Sequence, residues 1–327
     1  MTAVQSPYTP NAVAQMGPSG DTSGVTDLAS IQAAMNAAGS GVGGGTVTLA
    51  RGQYYINGAI TAVSNVALVG AGPNATLIQQ KSSSAGGIAG TDVNFCRFEK
   101  FQLSGPGYTV GAANGIRLQK SANADVGHIR MLELTVNNWA GHCIYGSVMV
   151  VCRFDHVLCQ TYGGDGFHFD GTVNTACTFE SCYADNHLGA QNGVGHSLSN
   201  GLYCSFNGCA SDFNFWGYNA IGCEAVAYNG CGTEHCGGSG FEMDGGLGNH
   251  LNACAVLNNN SQAVNLASGE KNLTITDLNE VSPASPTASI KTAAGTSCVV
   301  INPNITTAAS YSAGTAYVIT PTGAAAH

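Results

Sequence analysis

Basic residues are scarce in this chain: Lys and Arg together number 10 among 327 residues. Charged residues of all kinds make up 9%, against roughly 25% in a typical globular protein. A nucleic-acid partner needs a basic stripe, and neither this count nor the net charge of −9 supplies one. The shortage also excludes a disordered chain, which needs high charge and low hydrophobicity, and long solvated helices, which need charged outer faces. No apolar run approaches the roughly 18 residues of a membrane-spanning helix, so no span is expected. Met1 to Gly24 lacks a basic stretch followed by an apolar one, so no secretory signal is visible. Work outside a cell would then require another exit, such as lysis.

What the chain does have is 45 glycines, 13 cysteines and 44% hydrophobic residues. Many small residues and turn formers with few charges point to an all-β repeat protein. Internal periodicity makes this specific. Segments beginning at Cys96, Cys152, Cys177 and Cys204 place Phe98, Phe154, Phe179 and Phe206 at the third position, and Met131, Tyr228 and Ile275 fit the same register. Three residues later come Phe101, Leu134, Val157, Cys182, Cys209, Cys231 and Leu278, each apolar or Cys. A second ladder of glycines runs Gly115, Gly141, Gly166, Gly195, Gly217 and Gly240. Short alternating strands repeated about every 25 residues make a parallel β-solenoid. The cysteines then fall in inward columns as small hydrophobes; the competing reading is metal binding by Cys231, His235 and Cys236, whose spacing follows the coil and not a zinc pattern.

Before the repeats, Asp27–Gly39 reads as a short helix with Thr26 or Asp27 as N-cap and Gly39 just past its end. Leu28, Ile31, Ala34 and Met35 form its apolar face, suited to plugging the open end of a solenoid. Residues 1–24 are expected to be an irregular arm, 25–280 the capped solenoid, and 281–327 a closing or oligomerisation segment with apolar runs at Val299–Ile301 and Ala316–Ile319.

Over residues 21–80, Gly24-Val-Thr-Asp27, the helix, Gly44-Gly-Thr-Val-Thr-Leu, Gly52-Gln-Tyr-Tyr and Val69-Gly-Ala-Gly72 resemble the opening of the pectate-lyase-like right-handed parallel β-helix superfamily. Phage tailspikes and polysaccharide depolymerases commonly begin this way. The resemblance implies a single-stranded right-handed parallel β-helix with a short N-terminal capping helix, a polysaccharide substrate, a homotrimer, and a virion-associated or extracellular setting on a phage tail or baseplate. It transfers no catalytic residue, because no polygalacturonase signature and no complete lyase signature are present.

Strand alternation turns every second residue outward. Phe167 and Phe169 point in, leaving His168 and Asp170 outside; Phe241 and Met243 point in, leaving Glu242 and Asp244 outside. One outer column is expected to run Arg117, Cys143, His168, Ser197, Asn219, Glu242, Asn265, and its neighbour Gln119, Tyr145, Asp170, Ser199, Ile221, Asp244, Ala267. Glu242 and Asp244 are separated as glycosidase carboxylates are, about 5–9.5 Å; the plainer alternative is a pair of solvated acids. A rival pair is Asp155 and Glu180, stacked on consecutive coils about 4.8 Å apart, a costly arrangement unless screened, protonated or bound to Ca²⁺. A third candidate is His168 as a base oriented by Asp170. Tyr145, Trp139 and Trp216 are the aromatic walls for sugar stacking, with Asn219 and Arg117 as polar contacts.

From Phe154 to Glu270 there is no Lys or Arg, while Asp155 to Asp244 carries ten of the 19 acids. Such a surface repels polyanions, which ranks hydrolysis of a neutral or amino-sugar polymer above metal-free elimination; bound calcium would reverse the order. Two functions stay open: an enzyme cleaving a surface polysaccharide, or a non-catalytic glycan-binding or structural tail component.

Overall fold

The computed structural model describes residues 13–41, 43–121, 125–189, 191–281, 289–305, 315–320 and 323–326. The chain winds through about ten turns of a right-handed parallel β-helix. Most turns lay one or two strands on each of two sheets, a narrower and a broader one. The narrower sheet stacks, among others, Ile88–Thr91, Ile116–Gln119, Ile144–Ser147, Phe167–Asp170, Val194–Ser199, Trp216–Glu224, Phe241–Leu247 and Val264–Lys271. Pairing between successive turns is parallel; among the described strands only Thr315–Thr320 and Gly323–Ala326 pair antiparallel.

The inner columns follow the expected register. Phe98, Met131, Phe154, Phe179, Phe206, Tyr228, Leu251 and Ile275 pair in sequence from turn to turn. Phe154, Phe179, Phe206 and Tyr228 stack with ring centroids 4.7, 4.3 and 4.9 Å apart. Each such pair adds about 0.5–1.5 kcal/mol beyond simple burial. A second stack, Phe167, His196, Tyr218 and Phe241, has spacings of 4.7, 4.8 and 4.8 Å. His196 behaves there as a flat apolar ring, since complete burial pushes its pKa down to about 3. All 13 cysteines are free and buried.

Corners repeat as strictly as strands do. One column of positive φ runs Lys100, Glu133, His156, Ser181, Gly208, Gly230, Ala253 and Asp277; another contains Asn138, Thr161, Phe213 and His235. A left-handed residue turns the chain sharply, and the parity of inward and outward side chains restarts after it. L-residues pay about 1–2 kcal/mol in this conformation, so these corners persist because ladder pairing on both sides fixes them.

The N-terminal helix, α1, spans Val25–Gly39 and buries Ile31, Met35 and Ala38. Its N-cap is Gly24 rather than Thr26 or Asp27, and Ser40 is the C-cap. Gly24 is left-handed at φ 85°, and a Cβ there would meet Ile56 C at 2.6 Å, so glycine is required. Asp27 is buried instead, accepting the Ser19 N–H at 2.8 Å and the Tyr55 N–H at 2.9 Å. It ties the incoming arm to the first turn. Within that arm, Val13–Met16 is a strand paired parallel with Gly45–Leu49. At the other end, Ser297–Ile301 and Thr315–Thr320 extend the broader sheet.

Candidate functional site

The outward face of the narrower sheet carries a column in direct register: Ala89, Arg117, Tyr145, His168, Ser197, Asn219, Glu242, Asn265 and Lys291. Two residues differ from the sequence expectation. Cys143 is wholly buried and lies outside the column, and Tyr145 takes the position beside His168. The cause is Gly141, which looks like the ladder glycines but comes two residues early; the Gly115 N–H bonds to His142 O and the Ile116 N–H to Cys143 O.

Around His168 the side chains form one connected cluster. His168 Nδ1 lies 2.6 Å from Asp165 Oδ2. Asp165 Oδ1 accepts the Val194 N–H at 2.7 Å, and the Asp165 N–H donates to His142 Nδ1 at 2.9 Å. The Tyr145 hydroxyl donates to Asp170 at 2.9 Å, and the Arg117 guanidinium sits 5.5 Å from the Tyr145 ring centre. The His142 and His168 rings stack at 4.2 Å, and the Tyr145 and His168 rings at 5.7 Å. Burial works against charge on His168, but the Asp165 hydrogen bond and the nearby Asp165 and Asp170 charges hold its pKa above the ordinary imidazole value. Burial lowers that of His142. The Tyr145 phenol is raised by burial and by Asp170, so it keeps its proton.

The segment Tyr162-Gly-Gly-Asp-Gly-Phe167 makes this possible. A Cβ on Gly164 would lie 2.9 Å from His142 Nδ1 and 3.0 Å from Gly141 C. Only glycine lets the loop pass close enough to set Asp165 beneath both imidazoles. His142 and Asp165 were missed by sequence reasoning because both precede a strand, where alternation gives no direction. The paired glycines flanking Asp165 were the available signal.

A cleft of about 600 Å³ opens beside Arg117, lined by Asn114, Gly111, Ala112, Ser83 and Ile88 among others. Glu242 lies three turns beyond His168, largely buried, with the Asn265 amide donating to it at 2.7 Å. Burial raises its carboxyl pKa. Asp244 follows a register shift in the ladder and is half-buried. Asn219 lies in the column between Ser197 and Glu242. Trp216 starts its strand half-buried against Phe215. Trp139 is wholly buried, its indole N–H directed at Leu103 O at 3.4 Å, so it offers no face to a sugar.

Asp155 and Glu180 do stack on consecutive turns, but on the broader sheet, away from His168. Arg153 contacts Asp155 Oδ2 at 3.0 Å and His156 its Oδ1 at 2.6 Å. These two side chains screen the Asp155 charge. Cys231 and Cys236 are buried in the core, and His235 stacks on Phe213 at 4.7 Å, so that trio is no cation site. Among the described residues, one group of three donors falls within 4.8 Å: His142, Asp165 and His168. Both Nδ1 atoms face Asp165 Oδ2, at 3.6 Å from His142 and 2.6 Å from His168, and His142 Nδ1 already accepts a peptide N–H.

No family model and no curated protein sequence matches this chain. Solved structures do. The A-module of mannuronan C-5 epimerase AlgE4 from Azotobacter vinelandii superposes with a TM-score of 0.62 at 16% identity, over 88% of this chain and 95% of that one. The catalytic domain of a GH87 α-1,3-glucanase gives 0.67 at 11% identity, over 95% and 70%. Tailspike protein 2 of Escherichia coli O157:H7 bacteriophage CAB120 gives 0.68 at 14%, over 89% of this chain and 43% of the tailspike. The likeness is one of fold. Three neighbours of three different kinds leave the chemistry to the site.

Proposed function

We propose that the protein is an enzyme acting on an acidic polysaccharide, removing the proton beside a sugar carboxyl group and eliminating the glycosidic oxygen. One observation carries this: Arg117, Tyr145 and His168 occupy the same outward position on three consecutive turns. At about 4.8 Å per turn, the column sets a fixed cation, a phenol and an oriented imidazole across about 10 Å. Arg117 pairs the substrate carboxylate. His168 Nε2, its other nitrogen held by Asp165, takes the proton. The electron pair forms the C=C bond, the carbon–oxygen bond breaks, and Tyr145 gives its proton to the departing oxygen while Asp170 orients the hydroxyl.

Composition alone favoured hydrolysis of a neutral polymer, because the middle of the chain is acidic. Arg117 lies outside that stretch in sequence but in the same outward column, two turns from His168, which reverses the ranking. Glu242 and Asp244 remain the residues for a hydrolytic alternative. Among the neighbours, one is a mannuronan epimerase and another a tailspike. They support a polysaccharide substrate and a virion-associated or extracellular setting, with trimerisation as part of the same reading.

The test is incubation with polyuronates and neutral glucans, following ultraviolet absorbance, reducing ends and deuterium uptake from heavy water. Unsaturated products from a polyuronate are expected, falling by about 10²–10⁴-fold in His168→Ala and Tyr145→Phe. New reducing ends without unsaturation, lost in Glu242→Gln, would replace elimination with hydrolysis. Binding without cleavage or deuterium uptake would make the protein a glycan receptor.

A further inference from the structure

His142 and His168 stack within the same cluster, yet Asp165 addresses them in opposite ways. Its carboxylate takes His168 Nδ1, while its peptide N–H donates to His142 Nδ1. A peptide N–H can only donate. The nitrogen that receives it carries a lone pair, and in a neutral imidazole the proton must then sit on the other nitrogen. A side-chain partner could exchange roles by rotating or titrating; a backbone amide cannot. The His142 tautomer is therefore fixed with Nε2–H.

Charge on this ring is also opposed. To become an imidazolium, His142 would have to protonate the nitrogen that already faces an N–H, inside a partly buried site and stacked on His168. The groups facing it are Asp165, whose carboxylate lies 3.6 Å from Nδ1, then Asp170, His168 and the Tyr145 ring at 6.1 Å. Asp165 and Asp170 favour protonation, while desolvation and His168 oppose it; the balance lies below the ordinary imidazole value. His168 lies on the other side of that value. Stacked imidazoles held in different states are a general way to divide donor and base roles.

About a quarter of the His142 side chain is exposed. With Nδ1 turned to Asp165, the exposed edge carries Nε2. We infer that His142 presents Nε2–H as a fixed, neutral hydrogen-bond donor to the second oxygen of the sugar carboxylate that Arg117 pairs. This rests on the elimination reading above and assigns a further residue to it. As His168 Nε2 takes the proton, the electron pair shifts onto the carboxylate, which gains negative charge on its oxygens. Arg117 covers one oxygen and His142 donates to the other. The pair then returns to form the C=C bond as the glycosidic oxygen leaves with the Tyr145 proton. A donor positioned beforehand against charge that develops only in the transition state is worth about 10²–10³ in kcat.

Nitrogen-15 NMR of the histidine-labelled protein tests the tautomer without turnover. His142 is expected to show an unprotonated Nδ1 and a protonated Nε2 throughout about pH 7–8, and to gain its second proton only below the ordinary imidazole midpoint near 6.5. A proton on Nδ1, or an imidazolium in that range, would overturn the inference. Titration with glucuronate follows. Movement of the His142 Nε2–H signal, abolished by Arg117→Ala, is expected. If His168 responds, and Arg117→Ala abolishes that response, while His142 does not move, this inference fails and the elimination reading stands; if neither histidine responds, the reading itself fails. In kinetics, His142→Ala should lower kcat by about 10²–10³. His142→Gln, which places an amide N–H near the same point, should restore much of it without moving the acid limb of the pH profile. Equal losses in Ala and Gln variants that both fold would count against a donor role.

Discussion

The inner and outer columns of this solenoid obey the same register and draw opposite consequences from it. Inside, like stacks on like: Phe154, Phe179, Phe206 and Tyr228 gain from every neighbour. Outside, the candidate column is one of unlike groups, Arg117, Tyr145 and His168. A repeat about every 4.8 Å brings identical charges too close unless something intervenes. The acidic column Asp185, Asp212, Glu234 on the broader sheet shows the problem. There the Tyr183 hydroxyl donates to Asp212, and burial together with the Glu234 and Asp185 charges still raises the Asp212 pKa. Repetition therefore supplies stability to the interior, whereas function on the surface requires breaking it.

The largest effect should come from breaking an inner column. Phe179 is wholly buried, stacked on both sides, and packed edge-on by Phe167 and Phe169. Phe179→Ala should cost about 3–5 kcal/mol, read as a lower denaturation midpoint, because parallel turns cannot collapse into the gap without losing register. A loss under about 1 kcal/mol would mean that the stack is loose.

Next is the orienting contact in the outer column. Asp165→Asn keeps an acceptor for the Val194 N–H but replaces the negative charge beside His168 Nδ1. The amide can donate to that nitrogen, which moves the proton to Nε2 and removes the lone pair that takes the substrate proton. Activity should fall by about 10²-fold or more. The remaining activity should have its acid limb at lower pH, because Asp165 is what holds the His168 pKa up. The sign for stability is separate. A raised folded pKa stabilises below the unfolded value near 6.5 and fades as pH rises through the folded one. The variant should lose stability at acidic pH and little at alkaline pH.

Much of this was legible before any coordinates. The inner ladder through Phe98, Phe154, Phe179 and Phe206 needed only hydrophobic period, because burial constrains every turn alike. The Asp155–Glu180 stack was also correctly aligned. Errors arose where a left-handed corner resets alternation. Trp139 follows Asn138, which has a φ of 61°, and so turns inward against the expected parity. Tyr145 was set beside Asp170 in a neighbouring column because Gly141 imitates a ladder glycine. His142 and Asp165 have no periodic signature, since a non-repeating cluster leaves no column to read. The parts hardest to read were those that depart from repetition, and they form the candidate site.

The smallest effect sharpens the comparison from the acidic side. Asp212→Asn removes the middle charge of Asp185, Asp212 and Glu234 and leaves an acceptor for Tyr183. Because the folded pKa of Asp212 is raised, its stabilising effect belongs to low pH and is lost as pH rises through that value. At neutral pH the variant should therefore be more stable, by a few tenths of a kcal/mol after solvent screening, with the gain shrinking as pH falls and the native carboxyl takes up its proton. Added salt should shrink the neutral-pH gain. Activity on a polyuronate should be unchanged, since this column lies on the broader sheet. A substantial loss of activity in Asp212→Asn would instead move the chemistry to the acidic column and leave Arg117, Tyr145 and His168 as a surface without a substrate.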